Sequence, residues 1–361
     1  MYFDPRPKVR REDLYDREEE LEQLRRYVSS SPLTVITGVR RLGKTSLLLV
    51  GLRDTPHVIL DTRGVNPNSR RDLLKRFESG INTFLRKNSK LRDSILRRLE
   101  NIAGVQVMGT GIALQWRREK ADLLSIARVL EEHGAVLAVD EVQNLRGVVG
   151  REFAELIAHI YDYTDLRVVL TGSQVGLLYD FLGVDDPSSP LYGRHFSEIK
   201  LKRFSREESL DFLRKGFAQL GMQAEDDVLE LVVDKLDGIV GWLVLFGLRC
   251  SEAGEISREI SEDVMREAGK LAMQELQNFI KRHAPAERRF LLTAKAVASG
   301  RRVWSEIRDY VEEAEGRSIP SSVLARILNS LVKASFLSKK AEGRNVWYEI
   351  EDPVLENALK K

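Results

Sequence analysis

Across roughly the first 200 residues, short and almost unbroken apolar runs alternate with longer stretches in which apolar residues recur at helical spacing. The runs are LTVITG (33–38), HVILD (57–61), AVLAVDE (135–141), RVVLTGS (167–173) and EIKL (198–201). All but the last lack the polar alternation of a half-exposed strand, which predicts burial on both faces. Five such strands separated by helices specify an α/β core with a parallel sheet covered on both sides. Residues 70–120 read as an insertion on this core, beginning with charged helices. Within it VQVMGTGIALQW (105–116) has the pattern of a hairpin turning at 109–111.

The pattern changes after Phe204. Ser205 and Glu208 form a capping-box signature that opens an amphipathic helix reaching about Leu220. Two further helices, near 225–237 and 240–253, complete a small helical unit. From about 285, three helical patterns precede FLSKK, a turn at 342–344 and VWYEIE (346–351). Three helices followed by a hairpin predict a winged helix. The expected organisation is therefore a core over 1–204 with its insertion, a helical unit over 205–284 and a winged helix over 285–361.

Composition narrows the class. The 361 residues are 43 % hydrophobic and 31 % charged, which excludes a disordered or low-complexity chain. A single cysteine, Cys250, excludes a disulfide framework, and five scattered histidines offer no zinc site. The apolar run over 238–248 is bracketed by Asp237 and Arg249 and falls well short of the roughly 20 residues a membrane span requires. The start, MYFDPRPKVRRED, is charged where a secretory signal is apolar, so a cytoplasmic protein is expected. With 57 Lys and Arg against 55 Asp and Glu, net charge gives no global preference for nucleic acid or anionic membrane. The carboxyl-terminal part is modestly basic.

The strongest chemical signal is Gly38-Val-Arg-Arg-Leu-Gly43-Lys44-Thr45, which satisfies G-x-x-x-x-G-K-[ST] between an apolar strand and an apolar helix. Two glycines let the backbone turn so that several N–H groups converge on one phosphate at the positive end of a helix. The candidate cradle comprises Gly38, Val39, Arg40, Arg41, Leu42, Gly43, Lys44, Thr45 and Ser46. Lys44 supplies a cation for the outer phosphates, and the Thr45 hydroxyl suits a position on Mg²⁺. Arg40 and Arg41 have two readings, contact with phosphate or exposure to solvent, and neither is given a catalytic role. Asp140 and Glu141 end a buried strand where open α/β sheets place their ligands. Asp140 fits a carboxylate linked to Mg²⁺ and Glu141 a base that orients water, although acidic residues also end strands simply by entering solvent.

RVVLTGS would carry Thr171 and Ser173 between the loop and these carboxylates if its strand inserts between theirs, as in the additional-strand class of phosphate-loop ATPases. Either hydroxyl could then sense the γ-phosphate, or Thr-Gly-Ser could be an ordinary turn. Arg194 in PLYGR either stabilises charge on the transferring phosphoryl group or pairs with a surface carboxylate. The fold expected is a P-loop NTPase, with an extra strand between the Walker A and Walker B strands of its five-stranded parallel sheet.

LYDREEELEQL (14–24), GVRRLGKTS (38–46), LAVDEVQ (137–143), VVLTGSQ (168–174), PLYGR (190–194) and LKRFSREES (201–209) together resemble the archaeal ATPase family. That family belongs to the AAA+ and STAND-like group, near the origin-recognition and Cdc6-type ATPases. The resemblance implies ATP or ADP as ligand, with the segment containing Tyr15 and Arg17 against the adenine. It also implies a helical lid at about 205–280 and a carboxyl-terminal winged helix. One departure is visible: Gly238-Ile-Val-Gly241-Trp242 lacks the proline of the Gly-x-Pro element common in related lids.

Three functions follow as expectations. The first is a Mg²⁺-dependent ATPase acting as a conformational switch on a protein partner, monomeric or assembling with nucleotide. The second is an ATP-regulated DNA-binding protein, with a recognition helix over 319–334 carrying Arg326 and Lys333 and a wing carrying Lys339, Lys340 and Arg344. The third is a nucleotide-binding scaffold without turnover.

Overall fold

All five apolar runs form strands in a computed structural model of the chain, which describes residues 1–102, 105–108, 113–116 and 122–361. Among the described residues the strands are β1 (Leu33–Thr37), β2 (His57–Asp61), β3 (Val105–Met108), β4 (Ala113–Trp116), β5 (Val136–Asp140), β6 (Arg167–Gly172), β7 (Ser197–Lys200), β8 (Leu337–Glu342) and β9 (Asn345–Ile350). The main sheet has the order β2-β5-β6-β1-β7 and every pairing in it is parallel. β6 therefore lies between the strand that ends at the phosphate loop and the strand that ends at Asp140. Thr37 pairs with Gly172 and Lys200, and Asp61 with Asp140, so all five carboxyl ends meet at one edge.

Alternate residues of the central strands go to opposite layers. Val35, Leu137, Val139, Val168 and Leu170 share a cluster with helices Arg70–Lys87, Leu123–Glu132 and Gly147–Tyr163. Ile36, Val136, Ala138 and Val169 pack instead against Glu18–Ser30 and Lys44–Gly51. β2 is the exception to double burial: only Val58 and Leu60 are buried, because it sits at the sheet edge.

One expectation requires correction. Arg70–Lys87 is not an inserted charged helix but part of the layer covering the sheet, with Leu73, Phe77, Ile81 and Phe84 in the core. Its arginines and lysines occupy the outer face. What remains beside the core layers is the helix Ser89–Leu99 and the antiparallel pair β3–β4. The turn expected at 109–111 lies outside the described residues.

Past β7 the chain is helical. Ser205 caps Arg206–Ala218 with a complete capping box, its hydroxyl accepting from the Glu208 N–H at 3.1 Å and the Glu208 carboxylate accepting from the Ser205 N–H at 2.6 Å. Asp226–Leu236 and Val240–Ala253 follow, and then Arg258–Ile280, a 23-residue helix absent from the sequence reading. Its buried stripe is made largely of small residues, Ser261, Ala268, Gly269 and Ala272, so its apolar period is faint. Glu287–Ala298, Trp304–Glu315 and Ser321–Lys333 precede the β8–β9 hairpin, and Pro353–Leu359 closes the chain against Arg258–Ile280. A single hydrophobic cluster runs through all of these helices. We propose 1–204, 205–284 and 285–361 as the units of the chain, with the last two sharing one core.

Cys250 lies fully buried in that cluster, and burial pushes its thiol up to about 12. Native protein at pH 8 should therefore resist a disulfide-forming thiol reagent for hours and react at one equivalent in denaturant. Rapid reaction of the native protein would mean that the helical unit opens readily.

Candidate functional site

The phosphate loop closes the carboxyl edge of β1. Gly38 has φ 142° and a Cβ there would stand 2.8 Å from the Leu201 carbonyl oxygen, while Gly43 has φ 90° and caps helix Lys44–Gly51. These two positions require glycine for conformation and close approach. The backbone N–H groups of Gly43, Lys44 and Thr45 have no acceptor among the described residues, the arrangement that suits an anion. Lys44 is 4 % exposed and donates to the carbonyl oxygens of Gly38 at 2.8 Å and Val39 at 2.7 Å. Burial brings its pKa down to about 8.

Asp140 and Glu141 diverge at the end of β5. Asp140 is buried, and its carboxylate accepts from the Thr45 hydroxyl at 3.0 Å and from the Thr171 hydroxyl at 2.5 Å. Its burial raises the carboxyl pKa. Glu141 adopts a left-handed backbone, φ 59°, which turns its side chain out of the strand direction. Its Oε2 accepts from the Ser173 hydroxyl at 2.6 Å and from the Gln143 amide. The two hydroxyls of β6 and its exit are thus divided, Thr171 on Asp140 and Ser173 on Glu141. Thr62, beyond β2, donates to the Asp140 and Glu141 carbonyl oxygens at 3.0 and 2.6 Å and fixes the turn between them.

A cleft of about 390 Å³, within the range of ligand sites, opens in front of the loop. Gly43, Lys44, Thr45, Glu141 and Ser46 form its polar floor, and Tyr15, Phe204, Val244 and Leu245 its apolar wall. An amino-terminal strap crosses it: the Lys8 N–H donates to the Ser46 hydroxyl at 3.0 Å, and Phe3 wedges between Gly216 and Gly247 of two helices. Tyr15 lines the cleft with its hydroxyl donating to Asp211 at 2.6 Å. Arg17 is a brace. Its guanidinium bonds Glu20 at 2.8 Å and the Lys202 carbonyl oxygen at 2.7 Å, and lies 4.8 Å from the Phe204 ring centre.

Arg40 and Arg41 take neither of the orientations expected for them. The Arg41 guanidinium forms a bidentate pair with Glu275 on helix Arg258–Ile280 and stacks 3.9 Å over Trp242. Arg40 donates to the Ala334 carbonyl oxygen at 2.9 Å and lies 4.4 Å over Phe336, both at the end of helix Ser321–Lys333. In place of the missing lid proline, the Gly241 N–H donates to the Arg41 carbonyl oxygen at 2.9 Å, and a Cβ on Gly241 would come within 2.7 Å of the Arg41 side chain. Trp242 donates from its indole to Asp352 at 3.0 Å, completing a junction of loop, helical unit and winged helix. Glu275 and Asp352 carried no motif, so sequence reasoning missed them; only the pairing of charges across the fold reveals them.

Two further candidate residues pair with carboxylates, and for Arg194 this is one of its two expected readings. Arg194 precedes the amino end of β7, the edge of the sheet opposite the loop, and pairs with Asp162 at 3.0 Å. Within one chain it does not reach the phosphate loop. Lys333, a partly exposed cation of the expected recognition helix, bonds Asp180 of helix Val175–Leu182 at 2.7 Å, next to a Ser335 hydroxyl that accepts from the Val175 N–H at 3.1 Å. Arg326, Lys339 and Arg344 are exposed.

A five-stranded parallel sheet with an extra strand beside a G-x-x-x-x-G-K-T turn, followed by a winged helix, defines the class: a P-loop ATPase of the additional-strand type. The model of an ATPase domain predominantly from Archaea matches residues 14–246, and that of the MCM protein carboxyl-terminal winged helix-turn-helix domain matches 286–359. The chain belongs to this archaeal ATPase family. The Walker-type ATPase of Pyrococcus abyssi is 34 % identical over 100 % of both chains, with a TM-score of 0.85. Cdc6p of Pyrobaculum aerophilum is 15 % identical over 99 % of this chain and 96 % of its own, with a TM-score of 0.49. The RuvB Holliday junction branch migration motor of Thermotoga maritima is 13 % identical over 96 % and 95 %, with a TM-score of 0.45. No curated protein matches the chain. Among the described residues no helix is long and apolar enough to cross a membrane.

Proposed function

We propose that the protein binds and hydrolyses Mg²⁺-ATP and that the phosphate loop transmits its state to the helical unit and winged helix, making a conformational switch. One observation carries the switch: Arg40 and Arg41, inside the loop, hold Glu275, Trp242, Ala334 and Phe336. A nucleotide that reshapes the loop must move or break these contacts. The opposite charge of a triphosphate also competes for both guanidinium groups.

Free N–H groups of Gly43, Lys44 and Thr45 cradle the phosphates in this reading, while Lys44 exchanges its two carbonyl acceptors for phosphate oxygens. Thr45 and Asp140 are the residues that would hold Mg²⁺, an assignment supported by a hydroxyl and a buried carboxylate 3.0 Å apart. When bound, the ion would supply positive charge that offsets the charge of the outer phosphates. Glu141 orients the attacking water and accepts its proton. Ser173 reports on the γ-phosphate through Glu141, and Tyr15 stands against the base. Arg194 acts on the nucleotide of a neighbouring copy.

The test is phosphate release by the wild type with ATP and Mg²⁺, together with limited proteolysis in ATP, ADP and buffer. Turnover and a nucleotide-dependent cleavage pattern are expected. Glu275→Ala removes the carboxylate that pairs with Arg41 and Arg40 and does not itself line the cleft. It should keep turnover within about threefold and lose the difference between ATP and ADP patterns. A pattern in Glu275→Ala that still follows nucleotide as in wild type would sink the switch.

For DNA binding, the match to an MCM winged helix and the exposed Lys339, Arg344 and Arg326 are the support. The carboxyl end of helix Ser321–Lys333 is covered by the core, so duplex binding through that end would require the winged helix to detach. The switch is the reading we favour.

A further inference from the structure

We infer that Gln143 is a positioning residue for hydrolysis: its buried amide and the Ser173 hydroxyl clamp one oxygen of Glu141 and leave the other for water. The inference rests on the ATPase reading above and gives a role to Gln143, the last residue of LAVDEVQ, to which the sequence reading gave none.

Gln143 is 2 % exposed and sits in the single 3-10 turn Val142–Asn144 that follows the left-handed Glu141. Its Nε2 donates to Glu141 Oε2 and lies 3.4 Å from the Ser173 hydroxyl, which donates to the same Oε2 at 2.6 Å. Two donors on one oxygen fix the rotamer of the carboxylate. Oε1 of Glu141 accepts from no group among the described residues, and Glu141 lines the cleft. The clamp thus separates a held oxygen from a free one in the group placed to orient water.

The surroundings of Gln143 point the same way. Its own Oε1 is buried with no donor, an arrangement native proteins tolerate rarely. Room for that oxygen exists only because residue 172 is glycine: a Cβ there would approach it to 2.7 Å. A methionine would fill the slot without orphaning an acceptor, so shape alone does not call for an amide. What the amide adds is the Nε2 donor aimed at Glu141. The turn is held by Arg146 donating to the Gln143 carbonyl oxygen at 3.0 Å and by its own Asn144 donating to the Glu141 carbonyl oxygen at 3.0 Å.

Gln143→Met keeps the volume and removes the donor. Expected are a fall in kcat of about 10- to 100-fold, the range seen when an outer partner of a reactive group is lost, with KM and the ATP dissociation constant within about twofold of wild type. Gln143→Leu serves the same test where the methionine variant fails to fold. The second arm is single-turnover hydrolysis of labelled ATP in a Glu141→Gln background, where adding Gln143→Met should cost no further rate, because the clamp then has no carboxylate to position. Wild-type turnover with an unchanged kcat in Gln143→Met overturns the inference alone, as does an undiminished loss in the Glu141→Gln background. No turnover by the wild type overturns the ATPase reading and takes the inference with it.

Discussion

Replacing Glu141 by glutamine should lower ATP turnover by about 10²- to 10⁴-fold while nucleotide affinity stays within a few-fold of wild type. The substitution keeps the shape, and the Ser173 hydroxyl still finds an acceptor oxygen on the amide. What disappears is a carboxylate able to accept a proton from water. Affinity is preserved because the groups assigned to the phosphates, Lys44 and the N–H groups of the loop, belong to a different element. Steady-state phosphate release and equilibrium dialysis with labelled ATP separate the two effects. Turnover within threefold of wild type would remove Glu141 from the chemistry, and Asp140 would not replace it. Asp140 is buried and its two oxygens are engaged by Thr45 and Thr171.

Much of the core was legible because its determinants are local. Continuous apolar runs ending in Gly38, Asp140 and Gly172 set the strands, and a parallel sheet then forces their carboxyl ends to one edge. The glycine spacing of the loop is likewise a local requirement for φ above zero and close approach. Ser205 and Glu208 announce their helix from four consecutive residues. Arg70–Lys87 misled for the opposite reason: its charges are conspicuous along the chain, yet Leu73, Phe77, Ile81 and Phe84 fall on one face and decide where it packs.

The junction was illegible because its partners are far apart. Arg41 and Glu275 are separated by more than 200 positions, and Arg40 and Ala334 by nearly 300. Neither carboxylate nor carbonyl announces itself in a sequence with 31 % charged residues. The same holds for Gln143, whose importance lies in an amide donor buried beside Glu141, a placement that only the folded turn reveals. Variable positions of a motif are where a general phosphate loop is wired to the remainder of a particular chain, and periodicity carries no information about that wiring.

Lys44 provides the prediction with the widest consequences. In the protein without nucleotide its ammonium is buried, with two carbonyl oxygens as acceptors and, among the described residues, no carboxylate in direct ion-pair contact. Desolvation of this cation outweighs the attraction of Glu141 and Asp140, which is why its pKa falls to about 8. A triphosphate reverses the balance by supplying full negative charge at short range. Lys44→Met should therefore act in two directions. ATP affinity should fall by at least about 100-fold, the effect of deleting one partner of a buried, hydrogen-bonded charge pair. The melting temperature without nucleotide should stay level or rise, since an apolar chain of similar length replaces a desolvated cation whose burial outweighs its attractions. Calorimetry with and without ATP reads both at once: the wild type should gain melting temperature with ligand, and Lys44→Met should start no lower and gain nothing. A variant that melts as expected but still binds ATP with wild-type affinity would take Lys44 out of the phosphate site. A variant that melts far lower would mean that its two carbonyl bonds hold the loop together, making the lysine a structural strut before it is a ligand.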